Sequence, residues 1–177
     1  MTEVLDELRP ERPIRTERLL LRSFIPEELE AIADSTDLPQ FAPGFPTPED
    51  RDWAQTALEA GSYFFTETMF SMFAIVDAAS EQIIGMAGFV GPPIDHELEV
   101  VGSIVPARQN QGYGGEVLPH LLELAFQNPE VTAVNASVPW GNGPASKLLL
   151  DNGFTERPCG GSESAYVYAR PETPRSN

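Results

Sequence analysis

Glycines at 112, 114 and 115 separate a strand-like run at 96–105 from a stretch in which Val117, Leu118, Leu121, Leu122, Leu124 and Ala125 recur at helical spacing. The chain must therefore pass from strand through a tight turn into a helix within Gln109-Asn110-Gln111-Gly112-Tyr113-Gly114-Gly115. Glycine lets the backbone approach a bound group closely, and the free amide hydrogens at a helix start face an anion with the positive end of the helix dipole behind them. A pyrophosphate would suit such a turn. A Walker loop does not, because Gly115 is followed by Glu116 and Val117 in place of Lys and Ser or Thr. The spacing also departs from the dinucleotide fingerprint. A plain connector remains the alternative as long as the turn is read alone.

The rest of the chain supplies a sheet for this turn. Leu19, Leu20 and Leu21 between Arg18 and Arg22 predict a short strand, and Pro26 followed by Glu27 and Glu28 opens a helix with acids in its first turn. Four prolines and a glycine between 37 and 48 forbid a regular element and predict a shaped loop, followed by a helix over 49–60. Residues 71–76 and 82–90 read as a hairpin, with a third strand at 96–105. After the helix, which stops before Asn128-Pro129, the pattern predicts a strand at 131–138, a helix at 144–151 and strands at 154–157 and 165–169. Hairpins mixed with strand-helix-strand units predict an α/β fold, a mixed sheet with helices on its faces. The polar, unpatterned ends, 1–12 and 171–177, read as loose segments around one domain at 13–170.

Charge narrows the partners. With 27 acidic against 11 basic residues the chain carries −16, which repels nucleic-acid phosphates and anionic lipid. No apolar run reaches the roughly 20 residues of a membrane span, and the start lacks a signal-peptide pattern, so a soluble, cytoplasmic protein is expected. One cysteine, Cys159, excludes an internal disulfide and a cysteine-rich metal site, so no metal is expected.

The turn has company. Gln109-x-x-Gly112-x-Gly114 resembles the Gln/Arg-x-x-Gly-x-Gly/Ala signature of the GNAT superfamily of N-acetyltransferases. Arg15-Thr16-Glu17-Arg18-Leu19-Leu20-Leu21-Arg22 resembles the opening of its RimJ/RimL-like branch, whose namesakes acetylate ribosomal-protein N-termini. Ile83-Ile84-Gly85-Met86-Ala87-Gly88-Phe89 is similar to the family's central strand, and Asn142 with Leu148-Leu149-Leu150-Asp151-Asn152-Gly153-Phe154 to its later coenzyme-side segment. The likeness implies a GNAT-like, mostly antiparallel sheet of about seven strands, splayed near the middle and flanked by about four helices. Acetyl-CoA would lie in the V-shaped gap as cosubstrate. Main-chain groups near Ile104 and Val105 would meet the pantetheine arm, amides of Gln109, Asn110, Gln111, Gly112, Tyr113, Gly114 and Gly115 the pyrophosphate, and Asn142 the thioester end.

The implied acceptor is a primary amine, a peptide N-terminus or a small molecule, and the chain would act as a monomer or homodimer. An alkylammonium with pKa about 10 must lose a proton before it can attack a thioester. Glu97 and Glu99 share one face of their strand by its period of two, and the resemblance puts the base at Glu99, with Glu97 beside the substrate. The departing thiolate, of thiol pKa about 8.5, needs little help. Many members of the family carry a tyrosine where this chain has Leu149, which leaves Ser146 as the candidate acid. Phe41 and Phe45 in the proline-rich loop are candidate substrate walls. A coenzyme-binding regulatory module that keeps the fold without turnover is the competing reading.

Overall fold

The computed structural model describes residues 13–60, 72–90, 92–139, 142–158 and 160–172. The segment 1–12, Cys159 and residues 173–177 of the tail lie outside them. Strand β1 (Ile14–Arg15) pairs antiparallel with β2 (Leu19–Ser23), where Leu19 and Leu21 are buried. Helix α1 (Pro26–Asp34) starts with proline at its first position, and Glu28 accepts the free Ile25 N–H at 3.2 Å. It stops at Ser35, which adopts the left-handed conformation (φ 61°). Helix α2 (Pro48–Ala60) has a reciprocal cap: Thr47 N–H donates to Asp50, and Asp50 N–H to the Thr47 hydroxyl, at 2.8 and 3.3 Å.

The central strands β3 (Met72–Asp77) and β4 (Ile83–Phe89) are buried along their whole length, which accounts for their unbroken apolar runs. A register shift in their ladder passes over Ile84, so β4 kinks there. β5 (Glu97–Ile104) runs antiparallel to β4, with the next residue, Gly85, so close that a Cβ on it would stand 2.1 Å from the Ser103 carbonyl oxygen. Helix α3 (Tyr113–Phe126) follows and buries Val117, Leu118, Leu121, Leu122, Leu124 and Ala125. β6 (Ala133–Pro139), α4 (Gly143–Asp151), β7 (Thr155–Arg157) and β8 (Glu163–Ala169) complete the sheet.

The strand order is β1-β2-β3-β4-β5-β6-β8-β7, and every neighbouring pair is antiparallel except β5 with β6. The fold is thus the expected GNAT-like α/β arrangement, with four helices among the described residues and an eighth strand, the two-residue β1, beyond the seven foreseen. Element ends differ from expectation by one or two residues, as at Pro48, Gly143 and Glu163.

Candidate functional site

The sheet opens where two ladders part. β5 pairs with β4 over Val100 to Ile104 but with β6 only at Glu97, Leu98 and Glu99, opposite Ala133, Val134 and Asn135. Beyond that point β6 stays with β8 while β5 stays with β4, leaving a gap between Val100–Ile104 and Ala136–Pro139. Alternate residues of a strand direct their main-chain groups to opposite neighbours. The Glu99 carbonyl accepts from Val90 and the Val105 N–H donates to Ile84 at 2.9 Å, so these odd positions serve β4. Val100, Gly102 and Ile104 therefore turn their peptide groups to the gap. The Val105 carbonyl is also occupied, by Arg108 N–H at 2.9 Å.

At the end of β5 a 3-10 turn, Pro106–Arg108, leads into the glycine segment. Gln109 folds back to donate to the Ile104 carbonyl (2.9 Å), and Gln111 to the Ala107 carbonyl (3.2 Å). Asn110 and Gly112 take left-handed conformations, with φ of 61° and 82°, and Gly112 opens α3. The first amides of α3 then have no carbonyl one turn back to bond, which is the arrangement an anion needs. Gly114 is required by packing: a Cβ there would stand 2.7 Å from a terminal carbon of Leu148. That contact seats α4 on the start of α3.

Arg18, just ahead of β2, braces the turn. Its guanidinium lies 4.2 Å from the Tyr113 ring centre, donates to the Gln111 carbonyl at 3.0 Å and pairs with Glu116 at 2.8 Å. Thr16 Oγ1 also donates to Glu116. Burial pushes the Glu116 carboxyl up, but the bonds from Thr16, the Arg18 N–H and the Arg18 side chain outweigh it and hold the group below the ordinary carboxylate range. Arg108 ties the same region to Asp77 (3.0 Å) and to the Tyr113 hydroxyl (3.3 Å).

Two carboxylates face the other side of β5. Glu97 is engaged by Arg157 through both oxygens (3.0 and 3.2 Å) and by the Asn135 amide (3.1 Å), and the Arg157 bond holds its carboxyl low. Glu99, half-buried, lies on the same face opposite Asn135. Further along that face Ser103 donates to Asp50 of α2 at 2.6 Å, which brings the start of α2 over the strand.

Phe41 and Phe45 are buried in the core with their rings edge to face, 5.0 Å apart. The loop is pinned by Ala42 N–H to Ile83 and Ile83 N–H to Gln40, leaving Pro43 and Gly44 exposed, with Gly44 beside Val105. Asn142 caps α4, its side-chain oxygen accepting from Ala145 N–H at 3.2 Å. Ser146, half-buried, sits one turn further on.

Sequence reasoning had not singled out Arg18, Glu116, Asp50, Ser103, Asn135 or Arg157. Their pairings span tens of residues, and only the appearance of Arg18 inside the quoted N-terminal motif hinted at any of them. Among the described residues no group of His, Cys, Asp or Glu could hold a metal ion, and no helix is long and apolar enough to cross a membrane.

Residues 18–155 match the family described as acetyltransferase (GNAT) domain. The chain is 24% identical over 144 residues, 80% of its length and 81% of the relative's, to the uncharacterized N-acetyltransferase YoaA of Bacillus subtilis (strain 168). Among solved structures it is similar to a putative ribosomal-protein-serine acetyltransferase from Vibrio cholerae, with TM-score 0.65, 21% identity and coverage of 91% of this chain and 99% of that one. It is also similar to RimL, a ribosomal L7/L12 α-N-protein acetyltransferase in complex with coenzyme A, with TM-score 0.64, 16% identity and coverage of 89% and 98%. The match over 18–155 spans most of the chain, and with the splayed sheet and glycine turn it identifies the protein as a member of the GNAT acetyltransferase family.

Proposed function

We propose that residues 13–170 form a cytoplasmic, RimJ/RimL-like N-acetyltransferase that moves an acetyl group from acetyl-CoA directly to a primary amine, either a peptide N-terminus or a small-molecule amine. The observation that carries this reading is the parting of β5 from β6 directly ahead of the Gln109–Gly115 turn. An extended arm laid against the free edge of β5 ends at the amides that open α3.

The peptide groups of Val100, Gly102 and Ile104 bond the pantetheine arm, Ile104 through its N–H because Gln109 holds its carbonyl, whereas both main-chain groups of Val105 are already bonded. The amides from Gln109 to Gly115 hold the pyrophosphate. Asn142 borders the thioester end through the side-chain amide left over from its capping oxygen. Glu99 takes the proton from the incoming ammonium, directly or through a water molecule. Glu97, its charge paired with Arg157 and its carboxylate also held by Asn135, is fixed beside it on the acceptor side. Ser146 donates to the departing thiolate. Phe41 and Phe45 shape the acceptor side from within, by fixing the exposed Pro43-Gly44 tip beside β5.

The test is thiol release from acetyl-CoA in the presence of peptides with free N-termini and of small-molecule amines. Release with at least one amine supports the reading. Coenzyme binding without release from any amine supports the regulatory module instead.

A further inference from the structure

The turn that opens α3 has an electrostatic problem. Glu116 lies in the first turn of α3, where an acid suits the helix dipole but repels a bound phosphate. The chain as a whole carries −16, so no background of positive charge offsets it. Arg108, the basic residue nearest in sequence, is committed to Asp77. Among the described residues the cation that bonds Glu116 at the turn is Arg18, whose main-chain N–H and Nε both do so, at 2.7 and 2.8 Å. From the same side chain Nη1 reaches the Gln111 carbonyl at 3.0 Å, and the plane rests on the Tyr113 ring.

The Gln111 contact fixes more than charge. A trans peptide directs its C=O and the following N–H in opposite directions. By holding the Gln111 oxygen, Arg18 directs the Gly112 N–H away from itself. Gly112 alone could let that peptide rotate, since its φ of 82° lies in a region glycine enters freely from several directions.

Resting on the coenzyme reading of the turn, we propose that Arg18 is a positioning residue for the coenzyme phosphates: it cancels the charge of Glu116 and locks the Gln111–Gly112 peptide with its N–H toward the anion. A guanidinium suits both tasks because its planar fork serves two acceptors at once, which an ammonium cannot do with the same geometry.

The test is the affinity of Arg18→Met, Arg18→Lys and Glu116→Gln for coenzyme A by calorimetry, and for phosphate-free pantetheine by NMR titration. Arg18→Met should bind coenzyme A about tenfold more weakly, and Arg18→Lys should fall between it and wild type. Glu116→Gln should bind about threefold more tightly than wild type, a gain that no folding defect produces. Pantetheine affinity should be equal in all four proteins. Coenzyme A affinity unchanged in Arg18→Met, equal losses for coenzyme A and pantetheine, or weaker binding by Glu116→Gln would each overturn the inference while leaving the coenzyme site standing. Failure of the wild type itself to bind coenzyme A would remove the site as well.

Discussion

The Ser103 hydroxyl donates to the Asp50 carboxylate at 2.6 Å, and through that bond the first turn of α2 is fastened to the half of β5 that has left β6. Asp50 is 2% exposed, and its other oxygen accepts the Thr47 N–H that starts the helix. One side chain thus caps a helix and sets its distance from the free strand edge. Asp50→Ala should lower stability by about 2 kcal/mol, summing a lost cap and a half-buried Ser103 hydroxyl left without its acceptor. Ser103→Ala should cost about 1 kcal/mol. Denaturant unfolding of both variants checks the order; equal, negligible losses would contradict it.

Gly114 and Leu148 make a second joint. Gly114→Val places atoms where Leu148 stands and should push α4 away from the start of α3. We expect about 1–3 kcal/mol of destabilisation together with weakened coenzyme A binding. Leu148→Ala in the same chain should recover part of both by vacating the contested space. The check is a double-mutant comparison of melting temperature and coenzyme A affinity.

The pH dependence of stability follows from carboxylates held low in the folded state. Burial pushes Glu28 up, but the paired bonds from Arg22, at 2.7 and 2.9 Å, with help from Ile25 and Gln40, bring it below its ordinary value. A group lowered on folding contributes stability that is complete above its unfolded pKa and is lost as pH falls through the folded value. Glu28, Asp77, Glu97 and Glu116 all shift this way. Stability should therefore hold from neutrality down to the ordinary carboxylate range and decline below it. Arg22→Met leaves the buried Glu28 without its counter-ion and should cost about 3 kcal/mol at neutral pH, with a shallower decline in acid. Urea unfolding at several pH values measures both.

Glu99→Gln keeps the size and polarity of the proposed base but cannot accept a proton. Turnover should fall about a hundredfold with coenzyme A affinity unchanged, and the loss should be smaller for peptide α-amines, of pKa about 8, than for alkylamines. Steady-state kinetics with both acceptor types tests this. An undiminished rate would move the base elsewhere.

Much of this arrangement was legible in the sequence because it depends on local pattern. The glycine turn, the helix after it and the apolar runs of β3 and β4 announce themselves within windows of about ten residues. What escaped was set by long-range packing. Nothing local to Glu116 says that it meets Arg18, and nothing near Glu97 says that Arg157 will occupy it. The two phenylalanines illustrate the limit from the other side: aromatic residues in a proline-rich loop suit a substrate wall and a core plug equally, and only the chain's path along β4 buries them. The direction of Val105 turned on strand parity, which a shift of one residue reverses.

The central claim is that this sheet and turn serve acetyl transfer. Its most direct measurement is thiol appearance when the protein is mixed with acetyl-CoA and a panel of peptide N-termini and small amines, with Glu99→Gln alongside. The expected result is thiol release that depends on the amine, matched by an acetylated product and strongly reduced in the variant. Tight coenzyme A binding with no amine-dependent release across the panel would contradict it.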